Sequence, residues 1–197
     1  MTSRPVMAPM AALALSVVLG STLLAQSREF AHVRELGGAL VEYDDGFTQA
    51  VAAYYHSQRN HDSKWLLIEM GMMSRRALTL GRDQVELVTP DGREVPLASQ
   101  RQWSQDSGRA RTLLQQALPS RHQVKSYFRE VNGREELRFF TGPEAGGTTI
   151  DSTQVMPEQV VLGDLLVESP SGLWNRGTYT LVIHRPDATV RLPIDLR

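Results

Sequence analysis

Two stretches near the C-terminus restrict the possible fold more than any other part of the chain. Tyr179, Leu181 and Ile183 alternate with Thr178, Thr180, Val182 and His184; beyond Pro186-Asp187, Val190, Leu192, Ile194 and Leu196 alternate with Arg191, Pro193 and Asp195. A period of two places each apolar set on one face, so the pair reads as an antiparallel hairpin with one face against a core. Pro193 has no N–H to give to a ladder, which predicts that this hairpin closes the domain at a sheet edge. The rest of the chain must supply the opposite wall of that core.

Most other segments also read as strands. Leu40 to Tyr43 and Phe47 to Tyr55 flank Asp44-Asp45-Gly46, a turn in which glycine accepts a positive φ. Thr48 to Tyr55 mixes helix-favouring alanines with strand-favouring Val51, Tyr54 and Tyr55, and is read as strand. Trp65 to Met73 is apolar at nearly every position, the mark of a central strand covered on both faces. Gln84 to Thr89 and Arg93 to Leu97 flank Thr89-Pro90-Asp91-Gly92 as a second hairpin. Val124 to Val131 and Leu137 to Phe140 flank Asn132-Gly133 as a third. Gln159 to Glu168 forms another strand before the turn Ser169-Pro170-Ser171-Gly172.

One helix interrupts the strands. Ala110, Leu113, Leu114 and Ala117 fall at i, i+3, i+4 and i+7, between Asp106 or Ser107 as N-cap and Pro119 as stop. Short strands, one helix and no βαβ alternation predict a mainly β, antiparallel sandwich or barrel, with a helix-containing insertion at about residues 99–157.

The N-terminus predicts export. Arg4 opens a short basic segment, Met10 to Leu24 is mostly apolar, and Ala25 is a small residue at a plausible cleavage point. Ser16, Gly20, Ser21 and Thr22 interrupt the run, which is shorter than the roughly 20 residues of a spanning helix, so residues 1–25 read as a signal peptide rather than an anchor. The membrane then matters only before cleavage, and the product is periplasmic or secreted. Removing 25 of 197 residues leaves 172 for a single domain, 26–197. One of the 21 basic residues goes with it, leaving 20 against 22 acids, a net charge of −2 that gives no reason to expect a nucleic-acid partner. The chain has no cysteine, so its core must hold without disulfides.

Trp174-Asn-Arg-Gly-Thr-Tyr-Thr-Leu181 resembles the late strand of immunoglobulin-like and fibronectin-like domains, in which a Gly-x-Tyr element places a tyrosine whose hydroxyl reaches back to the backbone. Tyr179 takes that place. Leu181 stands where an antibody domain has its second cysteine, so the likeness is to the cysteine-free relatives, with Trp65 as their core tryptophan. The chain also resembles uncharacterised exported bacterial β-sandwich proteins, a likeness that brings no activity with it. The fold it implies is an antiparallel immunoglobulin-like β-sandwich with a short helical insertion.

The chemistry-bearing residues are few. Met70 and Met72, with His56 and His61 upstream, have the soft donors that suit copper, which would make a periplasmic metal-handling protein. Strand period places Met70 and Met72 on one face with Leu66 and Ile68, and Met73 on the other with Trp65 and Leu67, which favours core filling. Ser63, Ser74 and Ser104 sit in no nucleophile elbow, and no His-Glu-x-x-His or phosphate loop occurs, so no catalytic residues and no cofactor are assigned. Arg101, Arg109, Arg111, Arg121, Lys125 and Arg129 share their stretch with one acid, Asp106. With Trp103 as an aromatic anchor if exposed, they are the candidate surface for a protein or an anionic envelope component. The function expected is a non-enzymatic binding or envelope-accessory module.

Overall fold

A computed structural model describes residues 30–59, 62–121, 124–129, 131–140 and 150–197. The chain separates into Met1–Ala31 and His32–Arg197. The predicted signal peptide lies outside the described residues. In chain order the second unit carries β1 (Val33–Gly37), β2 (Leu40–Asp44), β3 (Thr48–Ala53), α1 (Tyr55–Arg59), β4 (Trp65–Ser74), β5 (Leu78–Gly81), β6 (Val85–Val88) and β7 (Glu94–Pro96). Then come α2 (Gln100–Gln105), α3 (Ser107–Ala117), 3-10 turns at Leu118–Ser120 and Val124–Tyr127, β8 (Gly133–Glu136), β9 (Ser152–Val155), β10 (Gln159–Glu168), β11 (Gly177–His184) and β12 (Thr189–Leu196). It is mainly β. Among the described residues no helix is long and apolar enough to cross a membrane.

The strands form a six-stranded sheet ordered β1-β2-β3-β4-β10-β8, a four-stranded sheet ordered β12-β11-β6-β7 and a ribbon of β5 with β9. One core joins the two larger sheets. The large sheet contributes Val41, Ala50, Leu66, Ile68, Met70 and Leu165, and the small one Val85, Leu87, Leu181, Ile183, Leu192 and Ile194. The terminal hairpin pairs Leu181 with Leu192 and Ile183 with Val190, as its alternation predicts, and β12 is an edge strand with Pro193 opposite Thr180. Tyr179 is 3% exposed, donates its hydroxyl to the carbonyl of Asn175 at 3.0 Å and meets Trp174 edge to face at 5.5 Å. Trp174 in turn donates to the carbonyl of Lys64, so this corner ties the last hairpin to the start of β4.

The centre of the large sheet is buried on both faces. β4 and β10 pair over eight residues, from Val161 opposite Met72 to Glu168 opposite Trp65. Leu66, Ile68, Met70 and Met72 point into the shared core, while Trp65 and Leu67 point away into a second cluster with Trp103, Ala110, Leu113, Ala117 and Leu166. Trp65 is therefore not the tryptophan of the sandwich interior: strand alternation turns it toward α2 and α3. Polar contacts fix the helices there. Trp65 Nε1 donates to Asp106 at 2.9 Å, and Arg109 clasps Asp62 at 2.8 and 3.0 Å. α2 was not anticipated, although Ser99 and Gln102 form a capping box at its start, with the Ser99 hydroxyl accepting from the Gln102 N–H.

The expected hairpin around Asn132-Gly133 does not form. Val124 to Tyr127 is a 3-10 turn, and Val124 and Phe128 bury themselves on the outer face of the sheet with Leu40, Val51, Ala53 and Val160. Apolar residues at 124, 128 and 131 have helical rather than strand spacing. Gly133 opens β8, which pairs parallel with β10, a connection absent from an all-antiparallel reading. The strand read over Thr48 to Tyr55 stops at Ala53, and α1 follows. Phe128 reaches the sheet only because Gly71 lacks a side chain: a Cβ there would lie 2.5 Å from the Phe128 ring.

Replacing Tyr179 with Phe removes one hydroxyl bond and should cost about 1 kcal/mol in denaturant unfolding. Replacing it with Ala also opens a cavity and should cost about 3–5 kcal/mol. Equal losses in the two variants would mean that the ring contributes nothing beyond its hydroxyl.

Candidate functional site

Every second residue of β4 and β10 faces outward, and the middle of this outer face carries two acids. Glu69 and Asp164 are directly opposed across the antiparallel pair, which places their Cβ atoms about 4.5–5.5 Å apart. Leu162, the next outward residue of β10, lies alongside Glu136 of β8. The cover above has two parts. α2 and α3 lie over Trp65, Leu67 and Leu166, and the segment around Val124 and Phe128 lies over Leu40, Val51 and Val160. Between them is a cleft of about 800 Å³, with Glu69, Asp164 and Leu162 at its base. Leu114, Val124, Phe128 and Phe140 line its apolar side, and Arg111, Arg121, Lys125, Arg134 and Glu136 supply further charge.

Topology separates the charges. All three acids come from strands, whereas three of the four bases, Arg111, Arg121 and Lys125, come from the cover; Arg134 lies on β8 beside Glu136. Asp164 bonds Arg121 and still keeps a quarter of its side-chain surface exposed. Burial pushes its carboxyl above the ordinary carboxylate range; the charge and hydrogen bond of Arg121 oppose this, and the charge of Glu136 adds to it. Trp103 also lines the cleft; its ring is 2% exposed, and its indole N–H has no hydrogen-bond partner among the described residues. A carboxyl held beside an arginine, with further charges of both signs and apolar walls, has the makings of a recognition site for a small polar molecule.

The basic residues singled out from the sequence do not form one patch. Arg111, Arg121 and Lys125 converge on the cleft. Arg109 is committed to Asp62 and the hydroxyl of Ser63, and Arg101 is exposed on α2. Arg129 lines a different cleft beside Arg34, Glu42, Gln49 and Tyr127. There Glu42, 4% exposed, takes bonds from Arg34 at 3.0 Å and Gln49 at 2.6 Å, so that buried acid is satisfied. Trp103 is a core residue that borders the cleft, not an exposed anchor.

Met70 and Met72 are 1% and 0% exposed within the aliphatic core. His56 is buried on α1, where desolvation holds its imidazole below the usual pKa and Nε2 has no hydrogen-bond partner among the described residues. His61 lies outside the described residues. Among the described residues no three His, Cys, Asp or Glu side chains are placed to hold a metal ion. The hydroxyl of Ser63 accepts from Arg109, that of Ser74 from the Arg76 N–H, and that of Ser104 from Gln100.

Glu69, Glu136 and Asp164 were not singled out from the sequence. A signal exists for two of them: Glu69 is the lone acid in Trp65 to Met73, and Asp164 the lone acid in Val160 to Val167. A single carboxylate inside a strand apolar on both faces must be answered by some partner.

Because the folded-state pKa of Asp164 is raised, the native state binds its proton more tightly than the unfolded chain does. Its effect on stability therefore becomes more favourable as pH falls from neutral toward the ordinary carboxylate range near 4. Asp164→Asn should leave stability at neutral pH equal or higher and remove that part of the pH dependence, measured by urea unfolding at several pH values. A variant that keeps the wild-type pH profile would show that another group carries it. No family model, curated protein or solved structure matches this chain.

Proposed function

We propose that the chain is an exported, non-enzymatic binding module on an immunoglobulin-like sandwich, whose ligand enters the cleft over Glu69 and Asp164. The carrying observation is the convergence of seven charged side chains and an apolar wall on one 800 Å³ cleft. Clefts of about 300–1,000 Å³ with apolar linings and a few convergent polar groups are the usual form of small-ligand sites. The acids and bases offer both acceptors and donors, and Asp164, paired with Arg121, keeps a quarter of its side-chain surface exposed. Export is supported by the basic and apolar pattern of residues 1–25. The sandwich reading is supported by the core shared between the two larger sheets and by the Tyr179 hydroxyl bond to Asn175.

Two measurements test this. The protein recovered from intact cells should lie in the envelope or medium and begin at Gln26; cytoplasmic protein starting at Met1 would contradict export. Purified protein soaked in an envelope metabolite extract and then desalted should retain a small molecule detectable by mass spectrometry. Leu114→Trp, which narrows the cleft from α3, should lose it. Identical retained sets in both proteins would place binding elsewhere.

A further inference from the structure

We propose that the cleft receives a short zwitterionic peptide, two to four residues with free termini, its ammonium toward Glu69 and Asp164 and its carboxylate toward Arg111, Arg121 and Lys125. The proposal rests on the reading of this cleft as the ligand site. It follows from how the fold distributes charge. Glu69 and Asp164 reach the cleft from β4 and β10, while Arg111, Arg121 and Lys125 reach it from the helical cover; β8 adds one charge of each sign, Arg134 and Glu136, at the border. Away from that border the cleft is polarised from base to cover.

A ligand of one sign would pair with one set and strip water from the other without replacing it, a loss that cancels much of the gain. A dianion would in addition face three carboxylates, and a dication four bases. A zwitterion meets both sets. The Arg121–Asp164 bond does not have to break: a ligand lying antiparallel to it presents ammonium to carboxylate and carboxylate to guanidinium, which gives an alternating arrangement of four charges.

One further feature selects a peptide over a smaller zwitterion. Leu114, Val124, Phe128 and Phe140 give apolar surface that charged termini alone would leave unused. An extended chain of two to four residues spans about 7–14 Å.

Calorimetric titration of the purified protein with trileucine, N-acetyltrileucine and trileucine amide tests the assignment. Free trileucine should bind, and capping either end should weaken binding by about tenfold or more. In Asp164→Asn the free and acetylated peptides should bind alike. In Arg121→Gln the free and amidated peptides should bind alike. Arg101→Gln, at an exposed site on α2, should behave as wild type. Affinity indifferent to both caps would overturn the proposal. Maltotriose or decanoate binding that is lost in Leu114→Trp, with no peptide binding, would overturn the peptide while retaining the cleft as a ligand site. Failure of all these probes at millimolar concentration would count against both.

Discussion

The molecule is organised by the β4–β10 pair, which is apolar on both faces. A strand pair of that kind cannot lie at a surface. Its inner side chains are covered by the four-stranded sheet, as in any two-layer β-structure. Its outer face needs a separate cover, and the segment between β7 and β10 supplies one in two pieces: α2 with α3 over Trp65, Leu67 and Leu166, and the turn around Val124 and Phe128 over Val160 and Gly71. The helical insertion is thus a requirement of the sheet rather than an ornament on it. The cleft is the space where the two pieces do not meet.

This arrangement explains where the charges sit. An acid on the outer face of β4 or β10 is tolerable only beneath the opening, where water and the basic residues of the cover can reach it. Glu69 and Asp164 occupy that place, opposite each other. The partly buried acid Asp45, by contrast, is answered on several sides. Asp45 accepts from the Phe47 and Thr48 N–H groups, from the Tyr43 hydroxyl and from Arg185, and those hydrogen bonds and the Arg185 charge hold its carboxyl below the usual range against the cost of burial. Burial and the neighbouring Asp45 push the Tyr43 hydroxyl up to about 12. The Asp45–Arg185 pair joins the β2–β3 turn to the β11–β12 turn and ties the two sheets together at one end. Asp164 has an arginine too, yet its carboxyl stays on the raised side.

Period-two patterning made the small sheet and the central strand legible: the terminal hairpin, the turn at Pro90-Asp91-Gly92 and the two-faced Trp65 to Met73 all take the predicted form. The errors lie where apolar spacing was outweighed by a turn signal. Asn132-Gly133 has the composition of a tight hairpin turn, but Val124, Phe128 and Val131 recur at helical spacing and are drawn onto the sheet through the space above Gly71. β5 and β9 are short, and they pair with each other across a long stretch of sequence that no local pattern announces. The site was half legible. Its bases stood out as a cluster, while its acids were hidden inside strands read only for their apolar residues, and what brings them together is the non-local pairing of β4, β10 and β8.

The ends of the two larger sheets carry one more consequence. β1 presents Arg34 and Glu35, β8 is four residues of Gly-Arg-Glu-Glu, β7 is three residues ending in Pro96, and β12 contains Pro193. Short, charged or proline-bearing borders discourage another chain from adding itself as an extra strand, whether in aggregation or in recognition. A protein without disulfides gains colloidal safety from such borders. They also leave the faces of the molecule, and the opening in one of them, as the surfaces not guarded in this way.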